Sequence, residues 1–425
     1  MKRALILVSL LLSVSLLLLS CSGSSSSAST NGGRSGLKFR AFLTQDVTFA
    51  SGIQIIDAQK DVRAPVAPIQ AGAAPGPMVV TPNHVQTLVF SPTDNRLTLI
   101  NNGGETASTS IFLPGFTESF VVSPDSQTAY IAVPTASVVG QSPGAVKMLN
   151  LNNGGFTGEL DVPAVRFLAL GHSGNRLLAF SDNSNSVALV TFGTGAPTVI
   201  TIPGFDRPVT AFFSQDDNTA YVVNCGAQCG GTQASVQKLE LSNFTCLPFG
   251  VCAPVNVPAA TAALLDGTTM YLAGTPIPNP DPFPCTGGQT TKSVSCGLLT
   301  VFDITSMAVT NPANIVITDG YHNRMALGAD GQLFVGSHTC TQIFAVNTGD
   351  EVRGCLSIYN TLTPDVPVIP PANGDVTGLE PISTRHTVYV AQGGELAIYD
   401  TTTAKLQKTQ LDISGEVIDV KVVDF

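Results

Sequence analysis

From Lys38 onward the chain alternates short apolar runs with polar turns, and no helical spacing of apolar positions persists after residue 20. The stretch Ser123–Val133, SPDSQTAYIAV, sets the pattern: a strand end, a tight turn at Pro124-Asp125-Ser126, then a second strand. Ser214–Val223, SQDDNTAYVV, repeats it with Asp216 in the turn. Leu265–Ala273 and Ala329–Val335 vary it with Asp-Gly turns at Asp266-Gly267 and Asp330-Gly331. Asp-Gly between apolar runs is a strong hairpin signal, because glycine accepts a positive φ. Gly171–Phe180 and Ser383–Val390 are weaker copies.

A third apolar run follows each copy: Ile53–Asp57, Leu97–Asn101, Val146–Asn150, Val187–Thr191, Val236–Glu240, Leu299–Asp303, Ile343–Asn347 and Leu396–Asp400. A fourth, more polar run usually comes next, as at Phe156–Val162 and Thr198–Ile202. Four short strands at a period of roughly 40–50 residues predict an all-β fold, a single β-propeller of four-stranded antiparallel blades. Eight blades account for the chain, and seven is the alternative if one unit is a decorated insertion. A lone blade cannot bury both faces, so the blades must stack around a ring. In the first unit Lys38–Gln45, Ile53–Asp57 and Pro65–Gln70 supply three strands and the innermost is missing. Val417–Asp424 stands unaccompanied at the carboxyl end, so pairing of the two chain ends is expected to close the ring and remove its open edges.

The repeats resemble the YVTN-type β-propeller family through Tyr221-Val222-Val223-Asn224, Tyr130-Ile131-Ala132-Val133 and Tyr389-Val390-Ala391-Gln392, with strand-ending Asp57 and Asp400. The resemblance covers most of the chain and implies the fold. Function must come from a site, because propellers host enzymes, electron carriers and binding modules alike.

The amino terminus reads separately. Lys2 and Arg3 precede an apolar core, Ala4–Leu19, so residues 1–20 read as a signal peptide. Leu18-Leu19-Ser20-Cys21 resembles a bacterial lipobox, which implies lipidation of Cys21 and export to the cell envelope, with Ser22 pointing to the outer membrane. Residues 21–37 then form the lipidated Cys and a flexible Ser/Gly tether, and residues 38–425 the propeller. The net charge of −10 argues against a nucleic-acid partner.

Besides Cys21 there are eight cysteines, an even number in an exported chain: Cys225, Cys229, Cys246, Cys252, Cys285, Cys296, Cys340 and Cys355. Sequence proximity pairs them in that order as disulfides. A metal site at Cys225-x₃-Cys229 with Cys246 or Cys252 is the alternative, and no histidine lies near those four. The Pro-rich stretch Pro276–Pro284 marks a long loop suited to recognition.

Catalytic chemistry is sparse. His84, His172 and His386 fall at turns, and His338 near Cys340 is a weak metal signal, so no metal and no cofactor is expected. No nucleophile elbow, P-loop or calcium loop appears. Asp125, Asp216, Asp266 and Asp330 belong to turns, where Asp bonds its own backbone. Residues at the starts of innermost strands line a propeller's axial mouth; here these are Glu118, Arg166, Arg207, His322 and Arg324. The leading expectation is a lipid-anchored envelope module that binds a protein, peptide or glycan. The alternative is a hydrolase resembling propeller lactonases, with Glu118 and His322 as acid and base and the arginines as an anion rim.

Overall fold

The structure, a computed structural model, describes residues 33–47, 51–242, 245–277, 296–311, 314–340, 354–370, 374–411, 413 and 415–424. The signal peptide, Cys21 and most of the tether lie outside the described residues, as does Cys285.

Eight antiparallel sheets follow one another around a ring. Numbered along the chain as blades 1 to 8, their innermost strands are Glu416–Val422, Met78–Val80, Phe120–Val122, Val165–Leu170, Pro208–Phe213, Ala262–Asp266, Tyr321–Leu327 and Val376–Ile382. The eight-blade reading stands. The chain ends also meet as expected: Glu416–Val422 pairs antiparallel with Arg40–Asp46 inside blade 1.

Two strand assignments need correction. The third strand of blade 7 is Leu356–Asn360, paired with Gln332–His338, while Ile343–Asn347 falls outside the described residues. Both runs end in Asn after apolar residues, so the pattern alone did not separate them. In blade 1 the outer strand is Val62–Arg63, and of the expected Pro65–Gln70 only Ile69 pairs, with Ile53.

The middle strands are buried on both faces, as in Leu88, Val89 and Phe90, all 0% exposed. The reason is the location of the core. Among the described residues it divides into eight apolar clusters, each sandwiched between adjacent blades. One joins Phe90 and Leu99 of blade 2 to Phe120 and Ile131 of blade 3. Each fully buried side chain of this kind contributes about 1.5–3 kcal/mol, so every blade depends on both neighbours.

The turns between first and second strands share one left-handed position. It is His84, Ser126, Gly174, Asp217, Gly267 or Gly331 in blades 2 to 7, with φ between 55° and 78°. At the same end, the ring is clasped by Arg40. Its Nε and Nη2 donate to the two carboxylate oxygens of Asp424 at 2.6 Å, and its Nη1 donates to Glu105 at 2.8 Å and to the Asn102 carbonyl at 2.7 Å.

Candidate axial-mouth site

The innermost strands all start at one face and surround an axial channel. The channel holds a cavity of about 570 Å³ lined from every blade, with Phe90, Phe116, Glu118, Arg166, Phe167, Tyr321, Asn323, Arg324, His338 and Asp419 among its walls. A side cavity of about 380 Å³ opens between blades 4 and 5, where Arg166, Asp182, Asn183, Ser184, Arg207, Gln228 and Tyr321 meet. Arg166, Phe167, Val209 and Tyr321 border both, so the two cavities form one mouth.

Bulges aim the lining. The strand register slips between Val165 and Phe167, Pro208 and Thr210, His322 and Arg324, and Val376 and Gly378. The extra residues are therefore Arg166, Val209, Asn323 and Thr377, and all four line the channel. A bulge re-aims a side chain without disturbing the rest of its strand.

The three expected arginines have distinct surroundings. Arg166 bridges blades: its Nε and Nη2 donate to the Glu118 carboxylate, the second at 3.0 Å, and its Nη1 donates to Asp182 at 3.1 Å. The hydrogen bonds it donates to these carboxylates, Glu118 first, push the Arg166 pKa upward. Arg324 donates to carbonyls, from Nε to Thr377 at 2.8 Å and from Nη1 to Asn323 at 3.1 Å. Arg207 sits at a positive φ of 56°. Its Nη2 donates to the Gly230 carbonyl at 3.3 Å, its Nε is buried without an acceptor, and it makes no ion pair among the described residues. The Asp206 carboxylate beside it accepts from Thr232 and Gln233, and these hydrogen bonds, with the charge of Arg207, hold its pKa down against the effect of burial. Tyr321, at the junction of the cavities, has its phenol pKa raised by burial.

Of the expected residues, Glu118, Arg166, Arg207 and Arg324 thus reach the mouth, and His322 does not. His322 is fully buried between blades 6 and 7, where its Nε2 pairs with the Thr318 carbonyl at 2.9 Å. Burial drives its pKa down to about 4. Glu118 is engaged by Arg166 and His322 lies outside the mouth, so these two residues are not brought together as acid and base. Tyr321, Asn323, Asp182 and Asp419 were not singled out in the sequence. Bulges leave no compositional mark, but Tyr321 and Asn323 flank the chosen His322, and a shift of one residue would have found them.

The turn acids lie in separate blades, as expected. Asp125 accepts from Ser123 Oγ at 2.5 Å and the Gln127 amide at 3.0 Å, and Asp216 accepts from Ser214 Oγ at 2.6 Å and the Asn218 amide at 3.1 Å.

Three disulfides are formed among the described residues: Cys225–Cys229, Cys246–Cys252 and Cys340–Cys355. Cys296 is buried and disulfide-bonded. Cys225–Cys229 and Cys340–Cys355 follow second strands and so flank the mouth, whereas Cys246–Cys252 follows a third strand at the opposite face. The Cys225–Cys229 bridge closes on a short 3₁₀ turn, Gly226–Cys229, that reaches toward blade 6. Its Gln228 accepts from the Thr275 amide at 2.8 Å and donates to the Gly320 carbonyl at 3.0 Å. Glu240 lies beside Cys246 and Cys252, but their disulfide removes the thiolates that a soft metal needs. Hydrogen bonds, chiefly from Thr245, hold the Glu240 carboxyl down at about 2.

No family model and no curated protein matches the chain. Solved structures do. The dihydro-heme d1 dehydrogenase NirN in complex with DHE is 14% identical, with a TM-score of 0.58 over 90% of this chain and 75% of that one. Hydrazine synthase of Kuenenia stuttgartiensis is 13% identical, with a TM-score of 0.54 over 78% of this chain and 97% of that one. The β-propeller domain of Myceliophteria thermophila Cps50 (Swd1) is 9% identical, with a TM-score of 0.52 over 78% and 98%. The likeness is one of fold. At such identities neither activity nor cofactor carries over.

Proposed function

We propose that the protein is a lipid-anchored binding module of the cell envelope, whose axial mouth takes a protein, peptide or glycan presenting a carboxylate. The observation that carries this reading is the contrast between the arginines. Arg166 is neutralised by Glu118 and Asp182, whereas Arg207 and Arg324 line the same mouth without an ion pair among the described residues. A guanidinium that makes no direct ion pair keeps donors for a ligand's carboxylate, and a bidentate pair supplies orientation as well as affinity. The aromatic walls Phe90, Phe116, Phe167 and Tyr321 supply apolar area beside it. Disulfides at Cys225–Cys229 and Cys340–Cys355 stiffen the rim, which reduces the ordering cost of binding. The anchor rests on the lipobox-like Leu18–Cys21, and the YVTN-type kinship on strand endings such as Tyr221–Asn224.

Cross-linking of the anchored protein in cells, followed by mass spectrometry of the attached species, tests the reading. A reproducible partner linked through residues of the mouth, and lost in Arg207→Ala, supports it. Repeated trials in which nothing attaches at the mouth sink it.

A further inference from the structure

The face opposite the mouth has its own chemistry. In each blade the innermost strand runs away from the mouth and the second returns, so turns after first and third strands lie at the far face. In blade 1 the innermost strand is the carboxyl-terminal Glu416–Val422, and the amino-terminal Arg40–Asp46 is second. The chain therefore enters the ring from the far face. Its entrance is held there: Ser35 Oγ donates to Glu105 at 2.5 Å, and Leu37 packs into the cluster between blades 1 and 2.

The same face carries exposed apolar tips. Leu247 and Phe249 stand 81% and 54% exposed inside the loop closed by Cys246–Cys252, after the third strand of blade 5. Leu362 and Val366, 73% and 70% exposed, stand after the third strand of blade 7. Blade 5 lies across the ring from blade 1. The tether's point of attachment and the two tips are thus three separated points on one face.

We propose that this face seats on a phospholipid bilayer, with Leu247, Phe249, Leu362 and Val366 inserted at the interface and the mouth turned away. The proposal rests on the lipid-anchor reading. What argues for a lipid surface is the place where the chain leaves the ring. By its Ser/Gly-rich composition the run from Ser22 to Arg34, ahead of the held Ser35, would span about 20 Å as a random coil, so lipid on Cys21 would hold the far face within reach of the membrane. One lipidated site gains from a second contact, because anchoring by two signals is stronger than by one. The contact is apolar rather than electrostatic. Asp125, Asp216 and Asp266 are exposed in far-face turns and the chain carries −10, so zwitterionic lipid is favoured over anionic.

The chain contains no tryptophan, so a single introduced Trp reports its own surroundings. Lipidated full-length protein carrying Phe249→Trp, Leu362→Trp or Val139→Trp is placed on phosphatidylcholine vesicles containing brominated acyl chains. Val139, fully exposed between the second and third strands of blade 3, is the mouth-side control. The expected result is a blue shift and loss of emission at the two far-face positions, no change at Val139→Trp, and weaker quenching as phosphatidylglycerol replaces phosphatidylcholine. Anchored protein whose far-face tryptophans stay unquenched overturns the seating and leaves the anchor standing. Mass spectrometry showing Cys21 unmodified overturns the anchor, and the seating with it. A concentration-dependent blue shift without vesicles assigns the tips to a second copy of the chain and also overturns the proposal.

Discussion

The two faces of the ring are made from ends of the same strands, yet they are built differently. The far face is a belt of turns bonded to one another. The Asn83 amide donates to Ser126 Oγ at 3.1 Å, and the His172 and Ser173 amides donate to Asp217 at 2.8 and 2.7 Å. His386 Nδ1 meets Asp330 at 2.7 Å, and Arg385 forks onto Asp61 at 2.6 and 2.7 Å. The Arg40 clasp then joins blade 1 to blade 2. The mouth has the bulged innermost strands of blades 4, 5, 7 and 8, two of the three disulfides among the described residues, and an arginine with a buried, unmatched donor. The difference separates two tasks. Closure of the ring is secured at one end, which leaves the other end free to depart from regular pairing and carry a site.

That division is broken most directly at Arg40. Its side chain is 10% exposed and its partners Glu105 and Asp424 are 5% and 20% exposed, so Arg40→Ala leaves two largely buried carboxylates without their cation. A loss of about 3–5 kcal/mol is expected, read as a lower urea midpoint with near-unchanged slope. A shift under about 1 kcal/mol would mean that the far-face belt does not secure the ring.

His322 gives the mouth side an effect of similar size that depends on pH. Its folded pKa of about 4 lies below the ordinary 6.5, so between those values the unfolded chain binds a proton that the folded protein refuses. The stabilisation is complete above pH 6.5 and is lost as pH falls toward 4, by about 3 kcal/mol in all. Unfolding midpoints across this window should fall with pH in the wild type and flatten in His322→Gln. Equal slopes in both would place the protonation elsewhere.

The Cys340–Cys355 bridge, with a sequence separation of 15, should contribute about 3 kcal/mol, and Cys225–Cys229, with a separation of 4, about 2 kcal/mol. Paired Cys→Ser variants compared by thermal unfolding check the order. The reverse ranking would mean that the short bridge holds more than its own loop, through Gln228 and its reach to Gly320.

The same separation of tasks explains what could be read from the sequence. The far face was legible because its rules are local: SPDSQTAY and SQDDNTAY state a turn, its acid and the strand that follows. Closure was legible because Val417–Asp424 had no neighbours in its own segment. The mouth was only partly legible. Position at a strand start found Arg166, Arg207 and Arg324, but orientation there is set by bulges. A slip of one residue turned Asn323 to the channel, while His322 lies buried between blades. Which arginine is neutralised depends on Glu118 and Asp182, 48 and 16 residues away, and no local pattern encodes that.

The smallest expected effect on stability is the one most informative about the site. Arg166→Ala strands Glu118 and Asp182, which stand 31% and 43% exposed, so water offsets most of the loss and about 1 kcal/mol is expected. Arg207→Ala removes a donor that has no acceptor and a guanidinium with no ion pair among the described residues, and should change stability by less than about 0.5 kcal/mol. Capture of a carboxylate ligand should behave in the opposite sense: Arg207→Ala abolishes it, whereas Arg166→Ala leaves the Arg207 donor in place. Denaturant midpoints and cross-linking yields measured on the two variants together decide the matter. If Arg207→Ala is the less stable variant, that arginine is structural, and the distinction between a bonded far face and an open mouth fails at the residue on which it most depends.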